Sequence, residues 1–274
     1  EYYNNRIKVF NSSGTYLRSF GGYGSIHSHT ATCNRWAYAR QFDIYNDEIY
    51  IADTYNKRII VLDLNGKCKR KGTTYSAYPH AIAVTSQYVW VGNPSSAIEK
   101  YNSALSYAGR YLVGQSNVNY AWGMSVNSSE NKLLVASYNG NEISEFSIVS
   151  GALSHVRSSS ASYSSSNGYF RRPLDTGYDS SGNIYALDLF NSRLQKFNSS
   201  MTYQAKVGSW STSSAFAYPY GMHIDSSDNI YVADHYNYAI RKFNTSLTET
   251  DTFGGGSGTR LDAAKKVIKK IVSN

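Results

Sequence analysis

The stretch Asp225–Phe243, DSSDNIYVADHYNYAIRKF, constrains the fold more than any other part of the chain, because it is one copy of a unit that recurs along it. Two short apolar runs, Asn229–Ala233 and Ala239–Phe243, flank a polar turn at Asp234–Asn237, and a second turn, Asp225–Asn229, precedes them. The alternation around Ile230/Val232 and Ile240/Lys242/Phe243 suits half-buried strands. The Asp/Ser/Asn clusters suit tight turns, because their short polar side chains bond to neighbouring backbone. The unit returns as Asp179–Phe197 (DSSGNIYALDLFNSRLQKF) and Tyr45–Leu62 (YNDEIYIADTYNKRIIVL), and in weaker form as Thr85–Tyr101 and Asn127–Phe146. Glu1–Phe10 carries only its second half.

Aligned on the residue that closes the first strand of each unit, the copies fall at Glu1, Asp53, Asn93, Ser137, Asp188 and Asp234, at intervals of 52, 40, 44, 51 and 46 residues. Such a period, with four strand-like segments in each, predicts an array of propeller blades. Third and fourth strands are expected at Arg6–Phe10 and Thr15–Phe20, and at Ala239–Phe243 and Thr248–Phe253. Inner strands carry small and apolar residues: Ala81–Val84, Gly123–Val126 and Gly221–Ile224. The 274 residues suffice for one large all-β domain, and no apolar run of about 18 residues predicts a membrane span.

The repeat residues Pro219, Gly221, Asp225, Asn229, Tyr231, Ala233, Asp234, Asn237 and Ile240, with Asn4, Asn5, Arg6 and Ile7 at the start, resemble the NHL repeat over residues 1–255. The match is sharpest over 35–73, 170–210 and 216–255, and faint over 78–114 and 120–160. The resemblance implies an all-β, six-bladed β-propeller. It implies no single activity, since such propellers bind proteins, RNA and glycans and a few are enzymes. Five units are complete and the first blade has only its outer half, Glu1–Phe20. The chain begins mid-unit at Glu1, so the missing inner strands are expected upstream; donation by another subunit is the alternative.

Residues 256–274 read as a linker and a short amphipathic C-terminal helix. Leu261, Ala264, Val267/Ile268 and Ile271/Val272 form one face, lysines the other, and Asp262 stands at the cap. Packing on the propeller or connection to a further domain is the plain reading, and any membrane contact is expected only through this helix. Residues 259–274 contribute +4 of the net charge of +8, leaving the body at +4. That balance speaks weakly for nucleic acid.

The loops entering each inner strand, and the turns between second and third strands, should share one rim, and they are dense in aromatics. The binding residues expected there are Trp36, Tyr38, Tyr55, Tyr78, His80, Tyr120, Trp122, Phe170, Arg171, Tyr220 and Tyr236. Flat aromatic faces in a polar setting suit protein or glycan partners, self-assembly included. Against this stands the structural role of the aromatic–Asn pairs, Tyr55/Asn56, Phe190/Asn191 and Tyr236/Asn237, which lock turns. Arg6, Arg58 and Arg193 match the repeat's own Arg position and are expected to pair with turn carboxylates. Arg35, Arg40, Arg171, Arg172 and Lys57 would serve an RNA-binding alternative.

Sequons at Asn11, Asn127, Asn198 and Asn244 are glycosylation candidates, and Cys33 and Cys68 a disulfide candidate. Together with the Tyr/Ser/Asn-rich composition they lean toward an extracellular or cell-surface setting. A metal-dependent lyase or hydrolase is the third alternative. However, His223 and Asp43 meet only Ala83, Ser125 and Gly177 at equivalent positions, and His27 and His29 lack a partner pair at zinc spacing. No metal, cofactor or catalytic set is expected, and the chain reads as a non-catalytic binding scaffold.

Overall fold

The computed structural model describes residues 5–11, 14–24, 32–75, 78–112, 118–210 and 216–254. The fold is all-β. A two-stranded sheet, β1 (Arg6–Phe10) and β2 (Tyr16–Gly21), is followed by five four-stranded meanders. These are β3 (Phe42–Tyr45), β4 (Glu48–Asp53), β5 (Arg58–Asp63), β6 (Cys68–Thr73); β7 (Ala81–Val84), β8 (Tyr88–Gly92), β9 (Ala97–Asn102), β10 (Tyr107–Leu112); and β11 (Ala121–Val126), β12 (Lys132–Ser137), β13 (Glu142–Val149), β14 (Ala152–Ser158). The last two are β15 (Pro173–Tyr178), β16 (Ile184–Asp188), β17 (Arg193–Phe197), β18 (Tyr203–Gly208); and β19 (Pro219–Ile224), β20 (Ile230–Asp234), β21 (Ala239–Phe243), β22 (Glu249–Gly254). All pairings are antiparallel between consecutive strands. The first strands of successive blades, β3, β7, β11, β15 and β19, neighbour one another and form the inner wall.

The described residues therefore make five blades rather than six. The N-terminal unit supplies only β1 and β2, and no strand among the described residues pairs with the free edge of β1. This sheet stands between the last blade and the first. A Cβ at Gly14, in the β1–β2 turn, would come within 2.6 Å of the Phe253 ring on β22, and one at Gly66, in the β5–β6 turn, within 2.4 Å of Phe20 on β2. The C-terminal helix expected over 256–274, like Tyr3, His27 and His29, lies outside the described residues.

Each hydrophobic cluster straddles two neighbouring blades. Ile82, Val84, Val89 and Val91 meet Tyr50, Ala52, Ile59 and Val61; Trp90 and Ile98 meet Met124, Leu133 and Phe146. Ile184, Ala186 and Phe197 meet Leu134 and Ile143, while Tyr185, Leu187 and Leu194 meet Val232 and Phe243. Ile7 and Phe20 pack on Ile49, Ile51, Ile60 and Leu62, which ties the two-stranded sheet into the same scheme. Middle strands are thus buried on both faces, not half-buried as alternation predicts. Ile60 faces one neighbour and Val61 the other, and both are fully buried. The run IIVL in β5 is apolar without alternation for that reason.

Candidate functional site

The rim is built from a recurring polar knot. Asp53, Asp188 and Asp234, each closing the second strand of its blade, are all but fully buried. Asp53 accepts from the Ala37 amide at 2.8 Å, Asn56 Nδ2 at 3.0 Å and Arg58 Nε at 2.7 Å. Asp188 accepts from the Arg171 amide at 2.7 Å, Asn191 Nδ2 at 2.8 Å and Arg193 Nε at 2.8 Å. Asp234 does the same with the Ala217 amide and Asn237 Nδ2, and Arg241 stands 3.6 Å away. Burial pushes the Asp188 carboxyl up to about 6, against its Asn, Arg and backbone donors. In the β11–β14 blade Ser137 replaces the Asp, and its Oγ accepts from the Asn119 amide at 2.7 Å. These knots pin the loop that enters each inner strand. Arg58 and Arg193 therefore take the carboxylate partners expected for them.

The residue just after each pinned position is left-handed: Tyr38 (φ 52°), Tyr78 (φ 60°), Tyr120 (φ 71°), Arg172 (φ 56°) and Tyr218 (φ 54°). Positive φ is costly for a bulky residue, so its repetition at one blade position marks a built feature. These side chains alternate with aromatics of the second-to-third-strand turns. Tyr38 touches Tyr55 and Tyr55 touches Tyr78, with ring centroids 5.2 and 5.9 Å apart. Further round, Tyr120 touches Tyr138, Arg172 bridges Tyr138 and Phe190, and Tyr218 bridges Phe190 and Tyr236. Tyr23 extends the chain onto Tyr38. Only the β7–β10 blade, whose turn carries Asn93–Ser96, has no turn aromatic. The result is a girdle of rings in edge and tilted contact around most of the rim.

Two residues further on, the chain turns into the channel mouth. Arg40, His80, Trp122, Leu174 and Tyr220 hold equivalent positions. The Arg40 guanidinium lies 4.3 Å from the Trp122 ring; His80 meets that ring edge-on, and Tyr120 and Tyr138 stack beside it. Burial and the Arg40 charge push His80 down to about 3, so it is neutral. One residue deeper stand Gln41, Ala81, Gly123, Asp175 and Gly221. Here the side chains of Gln41 and Asp175 meet, Gln41 Nε2 donating to Asp175 Oδ1 at 3.4 Å. Asp175 accepts from the Met222 amide at 2.9 Å and sits against Gly123, where a Cβ would come within 2.8 Å of its Oδ1. Burial is the main cause lifting its carboxyl to about 7. Among the described residues no group of three or more His, Cys, Asp or Glu is arranged to hold a metal ion.

Of the residues expected on the rim, Tyr38, Tyr55, Tyr78, Tyr120, Trp122, Arg171, Tyr220 and Tyr236 are there, the last two about half exposed. Trp36 and Phe170 are not, and are corrected to core. Trp36 packs with Ile49 and Ile60, Phe170 with Ile184 and Phe197, because the loop entering the inner strand folds its first aromatic between blades. His80 is buried behind the rings, 3% exposed. The sequence reading missed Tyr138, Gln41 and Asp175. Tyr138 follows Ser137 at the end of a second strand, the one signal that could have placed it in a turn.

Cys33 and Cys68 are disulfide-bonded, Cα atoms 5.4 Å apart, joining the loop before β3 to β6. Three sequon asparagines occupy the third-to-fourth-strand turn. Asn198 Oδ1 accepts from the Ser200 and Thr202 amides, Asn244 Oδ1 from Ser246 and Thr248, and Asn11 Oδ1 from Thr15. Asn127 makes the analogous turn between β11 and β12. Asn at these sites thus has a turn-forming role of its own.

No protein-family model and no curated protein matches the chain. Among solved structures it is similar to a streptogramin B lyase, at TM-score 0.63 and 12% identity, covering 92% of this chain and 76% of the lyase chain. At that identity the likeness shows the propeller fold alone.

Proposed function

We propose that the chain is an NHL-type propeller of six positions that works as a non-catalytic binding scaffold, its aromatic girdle meeting protein or glycan partners. The observation that carries this is the repeated left-handed backbone at Tyr38, Tyr78, Tyr120, Arg172 and Tyr218, interleaved with turn aromatics in every complete blade but β7–β10, because strain repeated at one blade position supports a role beyond core packing. Trp210 (58%), Tyr220 (46%) and Tyr236 (54%) offer exposed rings on the same side. The packing of β1–β2 between β22 and the β5–β6 turn supports the count of six positions. The disulfide supports an oxidising, extracellular or surface setting.

The test is a screen of neutral and acidic glycans, and of the chain against itself, with the intact protein. Tyr220→Ala/Tyr236→Ala should abolish the strongest binding found, while Val149→Ala, on an exposed outer turn, should leave it unchanged. Equal binding by both variants contradicts a rim site.

A further inference from the structure

On the face opposite the rim, blades are tied together by cations that donate to carbonyls in the next blade's third-to-fourth-strand turn. Arg18 reaches Leu64, Arg70 Ser103, Lys100 Gly151, Arg157 Ser199 and Lys196 Thr245, at 2.6–3.0 Å. In two blades this cation stands on the third strand, cross-strand from an aromatic: Lys100 opposite Trp90 and Lys196 opposite Tyr185. In the β3–β6 blade Val61 holds that place, opposite Tyr50, and the cation is Arg70, one strand further out. The β11–β14 blade also uses its outer strand, through Arg157. There the buried Glu145 fills the inner place and accepts from the Tyr178 hydroxyl at 2.9 Å. Only in the β3–β6 blade is the inner place left to a short apolar side chain. A cleft of about 250 Å³ opens there, between the first hairpin of β3–β6 and that of β7–β10.

The charges lining this cleft are spent on one another. Arg70 donates to Glu48 through both terminal nitrogens, at 3.0 and 2.6 Å, and to the Tyr50 hydroxyl at 2.8 Å; Lys69 joins the same carboxylate. The hydrogen bond from Arg70 holds the Glu48 carboxyl down to about 2, so the pair stays ionised and mutually neutralised. An anion would have to displace Glu48 from Arg70, and a cation would have to displace Arg70 from Glu48. The neutral groups are different. The side-chain amides of Asn46 and Gln87, on exposed residues of the two hairpins, have no hydrogen-bond partner among the described residues. Tyr45 bonds Glu130 through its hydroxyl, and among the described residues no other aromatic ring or cation contacts its ring. Drug-sized ligands need sites of about 300 Å³ or more, so the occupant is small. A pyranose suits what is left: its C–H face lies on an aromatic ring, and its hydroxyls trade hydrogen bonds with amides. Independently of the rim, we propose that this cleft binds a single neutral hexose, its ring lying on Tyr45 and its hydroxyls taken by Asn46 and Gln87.

The experiment is saturation-transfer NMR on the intact chain. The probes are methyl β-glucoside, methyl β-galactoside and methyl α-mannoside, with galacturonate and glucosamine as charged comparisons. At least one neutral glycoside should bind with a Kd of about 1 mM, and about fivefold or more tightly than either charged sugar. Gln87→Ala should weaken that binding about fivefold, and so should Asn46→Gly, which keeps the left-handed turn at Asn46 (φ 46°). Both residues are exposed, so the melting temperature should not move. Val61→Lys, which restores the lysine of the other blades, should abolish binding. If that variant fails to fold, the two amide variants still decide. No transfer to any of the three glycosides, equal or tighter binding of a charged sugar, or full binding in both amide variants overturns the proposal. Binding lost in Tyr220→Ala/Tyr236→Ala but kept in Gln87→Ala and Asn46→Gly overturns the cleft while leaving the rim reading intact.

Discussion

The side-chain amide of Gln41, on the first complete blade, pairs with the backbone of Met124 two blades away. Nε2 donates to the Met124 carbonyl at 3.0 Å, and Oε1 accepts from the Met124 amide at 3.2 Å. The same Oε1 accepts from the Ile82 amide at 2.9 Å, and Asp43 Oδ2 accepts from Val84 N at 2.9 Å. Inner strands have no ladder partner toward the channel, so side chains supply one. At the same blade position Gly123 and Gly221 leave room for Asp175, which a Cβ on either would approach.

Gln41→Leu should therefore destabilise the propeller by about 2–3 kcal/mol, since it leaves two inner-strand amides and a carbonyl without partners. In denaturant unfolding the midpoint should fall with the slope unchanged. A loss below about 0.5 kcal/mol would mean water replaces the amide and the channel is wet.

Arg193 bonds Asp188 and also donates to the carbonyls of Ser165, Ser166 and Tyr169. Arg193→Met strands the buried Asp188 carboxylate and three loop carbonyls, and should cost about 3–5 kcal/mol. Adding Asp188→Asn should recover part of that, a gain measured as a coupling energy in a double-mutant cycle.

Glu142 occupies the position that Arg58 and Arg193 hold in other blades, and burial alone raises its carboxyl from 4.5 to about 7. Its folded form holds a proton that the unfolded chain gives up. Its contribution to stability is present at low pH and is lost as pH rises from about 4.5 to about 7. Glu142→Gln should flatten that slope and stabilise the protein at pH 8 by roughly 1–3 kcal/mol. Thermal melts across this range check it, and an unchanged slope in the variant points to Asp175, whose burial acts in the same direction.

The Cys33–Cys68 bond closes a loop of 35 residues. Cys33→Ser/Cys68→Ser should lower stability by about 3–4 kcal/mol, chiefly by freeing the unfolded chain. Rim contacts such as Tyr38–Tyr55 should survive, because they are set by the Asp53 knot rather than by the disulfide. Equal stability of variant and parent under oxidising conditions would contradict this.

The blade period was legible because the Asp–Asn turn recurs at three of the second strands: Asp188 and Asn191, and Asp234 and Asn237, mark the same bend as Asp53 and Asn56. The meander within each blade followed from that period. Trp36 and Phe170 were misplaced because a loop aromatic reads identically whether it turns toward solvent or between blades, and blade packing alone decides. Gln41 and Asp175 were invisible for a different cause. Their partners lie 83 and 47 residues away, on strands whose closeness only ring closure creates. Tyr38, Tyr78, Tyr120 and Tyr218 were visible as aromatics, but their left-handed backbone has no signal of its own, since no glycine or asparagine stands there.

Hydroxyl-radical footprinting of the intact protein, with and without the tightest-binding glycan from the screen, tests the rim most directly. Protection confined to Trp210, Tyr220, Tyr236 and their girdle neighbours, with Tyr16, Tyr107 and Val149 labelled equally in both states, is the predicted result. Protection of Tyr16, Tyr107 or Val149 while Tyr220 and Tyr236 stay open would contradict it.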